Sequence, residues 1–163
     1  MAKKQKIKGE ADGIRIIAVN RQARHEYIFE EFFEAGIVLT GSEVKSLRES
    51  RLNMTDAYAV VDNNGQVWLK GLNISKWKQA SCFNHEPLRK RRLLLHKSEI
   101  KRMFVKTHEK GLTLAPTKIY FRKNYIKVEL AIARGKKLYD KREAEAARTV
   151  KRETERMLAE RGR

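Results

Sequence analysis

Alternation of apolar and polar residues runs through this chain from about Ile14 to Ala133 and then stops. In "HEYIFEEFFEAGIVLTG", Tyr27, Phe29, Glu31 and Phe33 fall on one side, with Ile28, Glu30, Phe32 and Glu34 on the other. Period two with aromatic and β-branched residues marks a half-buried strand. Ala35-Gly36 is expected to bulge or bend it. "TGSEVKSLRES" then changes period: Thr40 and Glu43 have capping-box spacing, Val44 and Leu47 share one face, and Lys45 and Arg48 share another. A short helix with a basic side is expected there.

"AYAVVDNNGQVWLKGLNI" predicts two strands joined at Asn64-Gly65, a pair that favours the positive φ angles of a type I′ turn. "SKWKQASCFNHEPLRKRR" has no period and contains Pro87, so it reads as a loop. A second helix is predicted in "LLLHKSEIKRMFVKTHEKG", with Ile100, Met103 and Phe104 as its stripe and Gly111 as its stop. The last hairpin lies in "LTLAPTKIYFRKNYIKVELAIA", where Ile119 and Phe121 alternate before the turn and Ile126, Val128, Leu130 and Ile132 after it. Hairpins with inserted helices imply a mainly β fold, an antiparallel sheet closed into a small OB-like barrel.

This divides the chain into a flexible basic arm (residues 1–13), the barrel (14–134) and a basic tail (135–163). Ala147, Val150, Met157 and Leu158 give the tail a helical stripe, but a thin one. Such a helix is marginal alone, so the tail is expected to be disordered when free and helical when docked.

Charge adds the partner class. Lys and Arg number 37 against 20 Asp and Glu, a net charge of +17. An excess of this size repels itself and is best explained by a polyanion that releases counterions on binding. No apolar run approaches the roughly 18–20 residues of a spanning helix, which favours nucleic acid over a membrane. A single cysteine, Cys82, permits no internal disulfide and fits a reducing cytoplasm. Cys82 with His85 is half a metal site at most, since structural zinc takes four ligands; neither a metal nor another cofactor is expected.

Catalytic motifs are thin. "GKK" at Gly135 lacks the first glycine and the Ser/Thr of a phosphate-binding P-loop, because Leu130 and Lys137 stand in those places. Glu30, Glu31 and Glu34 read as a solvated strand face rather than an acid/base site. The basic clusters carry more weight. Arg89, Lys90, Arg91, Arg92 and Lys97 surround an apolar triplet, and Arg21 and Arg24 precede the first long strand. With Trp68, Trp77, Tyr120 and Tyr125 interleaved, a phosphate-reading surface with stacking platforms is favoured. Trp68 is expected in the core and Trp77 exposed. Leu93, Leu94 and Leu95 cannot all face inward on a strand.

"NRQARHEY", "FEAGIVLTGSEVKSLR", "HEPLRKRRLLLHK" and "ARGKKLYDKR", in this order and spacing, closely resemble the small protein B family, the tmRNA-binding proteins of bacterial trans-translation. The resemblance spans about Asn20 to Arg142. It implies a non-enzymatic, monomeric, cytoplasmic adaptor with an OB-like barrel, which binds the tRNA-like domain of tmRNA and carries it to stalled 70S ribosomes. It places Asn20, Arg21, Arg24, Glu34, Lys45, Arg48 and Leu94 on the tmRNA-facing surface; the basic cluster adds Arg91, Arg92 and Lys97. Glu34, bland on periodicity alone, becomes a residue that accepts from base amino groups or fixes an arginine. The tail, with Lys136, Lys137, Asp140, Lys141 and Arg142, is implied to enter the empty mRNA path and the decoding region. Elongation factor Tu and alanyl-tRNA synthetase are implied as partners through tmRNA. Two other readings remain: a general RNA chaperone, and a hydrolase that frees stalled ribosomes, for which a motif such as GGQ is missing.

Overall fold

Asn20 is the residue from which the fold is most easily built. Its side-chain oxygen accepts from the Ala23 amide at 2.9 Å, which starts a helix, and its side-chain Nδ2 donates to Met54 O at 2.9 Å. That helix, α1 (Arg21–Glu26), follows β1 (Ile14–Val19) and leads directly into β2 (Tyr27–Ile37). The computed structural model describes residues 13–80, 84–109, 111–137, 139, 153, 154 and 157. The remaining described elements are α2 (Gly41–Arg48), β3 (Leu52–Asn53), β4 (Tyr58–Val61), β5 (Val67–Lys70), β6 (Asn73–Ile74), β7 (Arg91–Leu94), α3 (Lys97–Glu109), β8 (Thr113–Arg122) and β9 (Tyr125–Gly135).

Strands β4, β5, β7, β2, β9 and β8 neighbour one another in that order, and Ala59 of β4 pairs with Leu114 of β8 to close the ring. β1 lies antiparallel on β8, and β3 with β6 forms a separate two-stranded sheet. The fold is the mainly β, antiparallel barrel that the hairpin pattern predicts. Inward side chains fill it: Val67 and Leu69 from β5, Leu130 and Ile132 from β9, and, on either side of a register shift between Pro116 and Lys118, Leu114 and Ile119 from β8 are all essentially buried. Met103 of α3 is also fully buried within this core, and α3 packs against β4, β8 and β9. Glu31 holds α3 from the side, pairing with Arg102 at 2.6 Å and Lys106 at 2.9 Å.

Five expectations change. The irregularity of β2 falls between Phe29 and Glu31, not at Ala35-Gly36. Gly36 instead lies under the Leu94 side chain, where an added Cβ would stand 3.3 Å from Leu94 Cβ. In the β4–β5 turn only Gly65 has positive φ (+69°), so the turn is not type I′. The Asp62 carboxylate accepts from the amides of Asn64 (3.0 Å) and Gln66 (2.7 Å), and Gly65 N donates to Asp62 O. That is a turn held from inside by its first side chain and finished by a left-handed glycine.

Leu93 and Leu94 belong to β7, and the second helix begins only at Lys97, where Glu99 accepts from the His96 amide. Finally, Trp68 faces outward between two buried neighbours, with its indole N–H on Asp62 Oδ2 (3.1 Å) and the Lys90 ammonium over its ring. Trp77 is half-buried, its backbone exchanging hydrogen bonds with Asn84.

The barrel ends later than expected. Gly135 still pairs with Tyr27, and Lys136 N donates to Glu26 O at 2.8 Å. The Lys136 ammonium also donates to Arg24 O at 3.1 Å, so the exit of β9 is fastened to the C-terminal end of α1. The expected arm (residues 1–13), except Gly13, and most of the tail lie outside the described residues.

Candidate nucleic-acid interface

Register across the barrel brings distant residues into one row. Leu94 of β7 pairs with Gly36 of β2, Gly36 pairs with Lys127 of β9, Lys127 pairs with Tyr120 of β8, and Tyr120 pairs with Ile16 of β1. Glu34 sits two residues before Gly36 on the same outer face. Because Gly36 carries no side chain, Leu94 leans over it while remaining 49% exposed. An apolar side chain so exposed at the end of this row is available for contact.

Glu34 is the polar centre of this face. The Tyr120 hydroxyl donates to Glu34 Oε2, Arg122 donates at 3.1 Å and 3.2 Å, and the Lys127 ammonium lies at 3.5 Å. The Tyr120 hydroxyl bond, with the charges of Arg122 and Lys127, holds the Glu34 carboxyl below the usual glutamate range despite partial burial. Burial and the facing carboxylate push the Tyr120 phenol well above its ordinary value. At neutral pH the site is therefore a carboxylate that orients two cations, with a phenol that stays protonated.

α2 borders the same face. Its capping box is present, with the Thr40 amide donating to Glu43 Oε2 at 2.7 Å, and Lys45 and Arg48 point outward. Arg15 donates to Arg48 O at 3.3 Å and lays its guanidinium over the Phe121 ring. Together with Gly13, Lys123 and Asn124 they line a cationic hollow of about 330 Å³. Asn124 is shared with a more apolar hollow of about 460 Å³, walled by Leu39, Val44, Leu94, Tyr125 and Ile126.

Arg92 is exposed beside Leu94 on β7. Arg21 and Arg24 are exposed on α1, at the end of β1 opposite Arg15. Lys97 is separate from the Leu94 hollow, lining another with the Asp62–Gly65 turn, Ile100 and Phe104.

Two expected contact residues face inward. Arg91 is fully buried, because on a four-residue strand with exposed Arg92 and Leu94 the alternate positions Arg91 and Leu93 must enter the barrel. Its guanidinium donates to Glu43 Oε1 (2.8 Å), Leu72 O (2.6 Å), Arg89 O (3.0 Å) and Pro87 O (2.9 Å). Arg89 Nε also donates to Glu43 Oε1, at 2.8 Å. Asn20 is 4% exposed, with both ends of its amide occupied, and sets the position of α1. Lys136 is half-buried on α1, and Lys137 is exposed. Asp140, Lys141 and Arg142 lie outside the described residues.

Sequence reasoning passed over Arg15, Arg122, Lys123 and Lys127. The parity of the last hairpin carries the signal for two of them: Arg122 shares a face with Tyr120, and Lys127 pairs with Tyr120 across it. Cys82 lies outside the described residues. Its proposed companion His85 is buried, with Nδ1 3.0 Å from Ser42 Oγ and Nε2 3.0 Å from Ile74 O. Among the described residues no group of three or more His, Cys, Asp or Glu could hold a metal, and no helix is long and apolar enough to cross a membrane.

Comparison with known proteins identifies the family. A family model described as SmpB protein matches residues 17–160. The chain belongs to the SmpB family. A protein of Desulfitobacterium hafniense (strain DSM 10664 / DCB-2) named SsrA-binding protein is 50% identical over 153 residues, covering 94% of this chain and 97% of its own. The SsrA-binding protein of Symbiobacterium thermophilum is 56% identical over 146 residues, covering 89% and 92%. A solved structure described as "tmRNA-SmpB: a journey to the center of the bacterial ribosome" superposes with a TM-score of 0.63 at 48% identity, over 74% of this chain and 85% of that one. The SmpB fold is thus the barrel described above, and the four sequence motifs lie within the matched region.

Proposed function

We propose that this SmpB-family chain is a non-catalytic, cytoplasmic RNA adaptor of trans-translation that binds the tRNA-like domain of tmRNA through the outer face centred on Glu34 and Leu94. The observation that carries the reading is the convergence of an exposed leucine, a carboxylate-ordered pair of cations and the basic side of α2 on one face. Arg21 and Arg24 extend the positive surface along α1. Phosphate contacts supply affinity and position, while Glu34 and Leu94 offer what a phosphate cannot read, an acceptor for base amino groups and an apolar plate. Recovery of bound RNA from cells followed by sequencing tests this: tmRNA should dominate, and a flat spectrum of RNAs would overturn it in favour of a general chaperone.

Leu94→Ala is expected to weaken tmRNA binding about 5- to 30-fold, the loss of roughly 1–2 kcal/mol of apolar contact. It should leave Tm within about 2 °C, since truncating so exposed a side chain costs little folding energy. Glu34→Ala should weaken binding comparably, by releasing Arg122 and Lys127, at a cost to stability of about 1 kcal/mol from the lost Tyr120 partner. Equal losses of stability and affinity in both variants would return the two residues to a purely structural role.

For the tail the proposal is that the segment beginning at Lys136, with Lys137, Asp140, Lys141 and Arg142, reaches the empty mRNA path and decoding region of a stalled 70S ribosome. An mRNA in the channel would exclude it, which supplies selectivity by competition for space. Elongation factor Tu and alanyl-tRNA synthetase would meet the monomeric protein through tmRNA. Truncation after Leu138 should preserve tmRNA affinity and remove peptide tagging in a reconstituted translation assay. Loss of tmRNA affinity on truncation would contradict this division of labour. Purified protein should release no peptide from peptidyl-tRNA, and measurable turnover would count against the non-catalytic reading.

A further inference from the structure

Among the described residues Tyr125 is the most exposed large apolar residue of the barrel, at 72%, and core packing does not account for it. It opens β9 after the two-residue turn Lys123-Asn124 and pairs with Arg122. Across the mouth of the 460 Å³ hollow stands Leu94, with Val44 and Leu39 below. That volume lies in the range of about 300–1,000 Å³ occupied by small-molecule pockets. Lys127 lines the hollow too, and Glu34 lies against Lys127.

Charge decides the kind of occupant. The adjoining hollow, which shares Asn124, is lined by Arg15, Arg48 and Lys123, so an apolar slot and a cationic slot lie side by side. A nucleotide has this division, an apolar ring face joined to an anionic phosphate. An acidic peptide fits the cationic slot but gains nothing from an aromatic wall, and Glu34 near the apolar slot repels its carboxylates. The same Glu34 can accept from an exocyclic base amine.

We infer that the hollow between Leu94 and Tyr125 receives one unstacked nucleobase, stacked on the Tyr125 ring, while its phosphate lies on Arg15, Arg48 and Lys123. The inference rests on the proposed RNA-binding reading and deepens it. Aromatic stacking tolerates any base, so Tyr125 contributes affinity for a splayed nucleotide, and selectivity comes from which RNA presents one at this point.

The test uses the full chain and a transcript of the tRNA-like domain of tmRNA. Tyr125→Ala should weaken binding about 5- to 150-fold, the range that removal of one base–aromatic stack produces. Tyr125→Phe keeps the ring and should stay within about twofold of wild type. The salt dependence of Tyr125→Ala should match wild type, whereas Arg15→Ala should lower the logarithmic slope by about one phosphate contact. In a series of transcripts each lacking one unpaired base, one position should weaken wild type strongly and add no further loss to Tyr125→Ala. Wild-type affinity in Tyr125→Ala, or an abasic series whose losses all multiply with that variant, overturns the base site. If wild type prefers the transcript no more than a scrambled RNA, the proposed function itself fails. The Tyr125 comparison is then read on an unstructured single-stranded oligonucleotide, where equal affinity overturns the hollow as well.

Discussion

Glu43→Gln is expected to destabilise the protein by about 3–5 kcal/mol, the cost of leaving the partner of a buried ion pair without its countercharge. For a chain of this size that is a fall in Tm of about 6–20 °C. Glutamine keeps the shape and can retain part of the capping box, so the change isolates charge. Glu43 and Arg91 are both fully buried, and the carboxylate accepts from Arg89, Arg91 and the Thr40 amide. Arg91 in turn satisfies three backbone carbonyls, at Leu72, Pro87 and Arg89. One carboxylate therefore joins α2, β7 and the loop before it, the elements that carry Lys45, Arg48, Arg92 and Leu94.

Acid should erase the difference. Burial alone would raise the Glu43 pKa, but Arg89, the Thr40 amide and Arg91 outweigh it and leave the value below the ordinary glutamate value of 4.5. A carboxyl lowered on folding contributes stability above its unfolded pKa and loses it as pH falls through the folded value. The wild-type advantage in Tm should thus be constant near neutrality and shrink at pH values below about 4.5. Thermal melts of both proteins across this range check it, and a Gln variant within about 1 kcal/mol of wild type at neutral pH would show that the cluster is not a stability element.

Gly71→Ala is the second large effect. Gly71 has φ +70°, and a Cβ there would lie 2.2 Å from the Asp56 carbonyl oxygen and 2.9 Å from its carbon. Neither atom belongs to a flexible side chain that could swing away. Alanine pays the left-handed strain of about 1 kcal/mol and must also displace the backbone before Ala57. The expected loss is about 3 kcal/mol or more, in the class of severe steric substitutions. Denaturant titration should show a lower midpoint with an unchanged slope. The same substitution at Gly65, which also has positive φ but meets nothing within 4 Å, should cost only the strain. Equal losses at the two glycines would mean that the contact with Asp56 relaxes freely.

Long alternation was legible and short elements were not. β2 alternates from Tyr27 to Ala35, so its two sides could be separated in advance, Glu31 with Phe33 and Glu34 with Phe32, whereas β8 and β9 lose the alternation over 114–117 and 130–133, where every residue is buried. β3 and β6 have two residues each and β7 four, too few for a period to separate from chance. Missing β7 explains the error at Arg91, since in a loop its neighbours set no inside or outside. α1 had a readable signal in Asn20, a strong helix N-cap, but its six residues are too few for a helical period to show.

Glu43 shows a different limit. Its spacing from Thr40 revealed the capping box, while its pairing with Arg91 joins residues 48 apart in sequence and depends on register that only the closed barrel supplies. The Glu34 cluster has the same origin: Tyr120 and Arg122 come from β8, and no local spacing links them to β2.

Preferential affinity for one RNA is what the face around Glu34 and Leu94 must produce. Equilibrium binding of the full chain to tmRNA and to an unrelated structured RNA of equal length, at the same near-physiological salt, measures it. The expected result is at least about a hundredfold preference for tmRNA, reduced by Leu94→Ala and Glu34→Ala without loss of fold. Equal affinity for the two RNAs, with both variants unchanged, would contradict the assignment of this face and leave the positive charge as a general grip on phosphate.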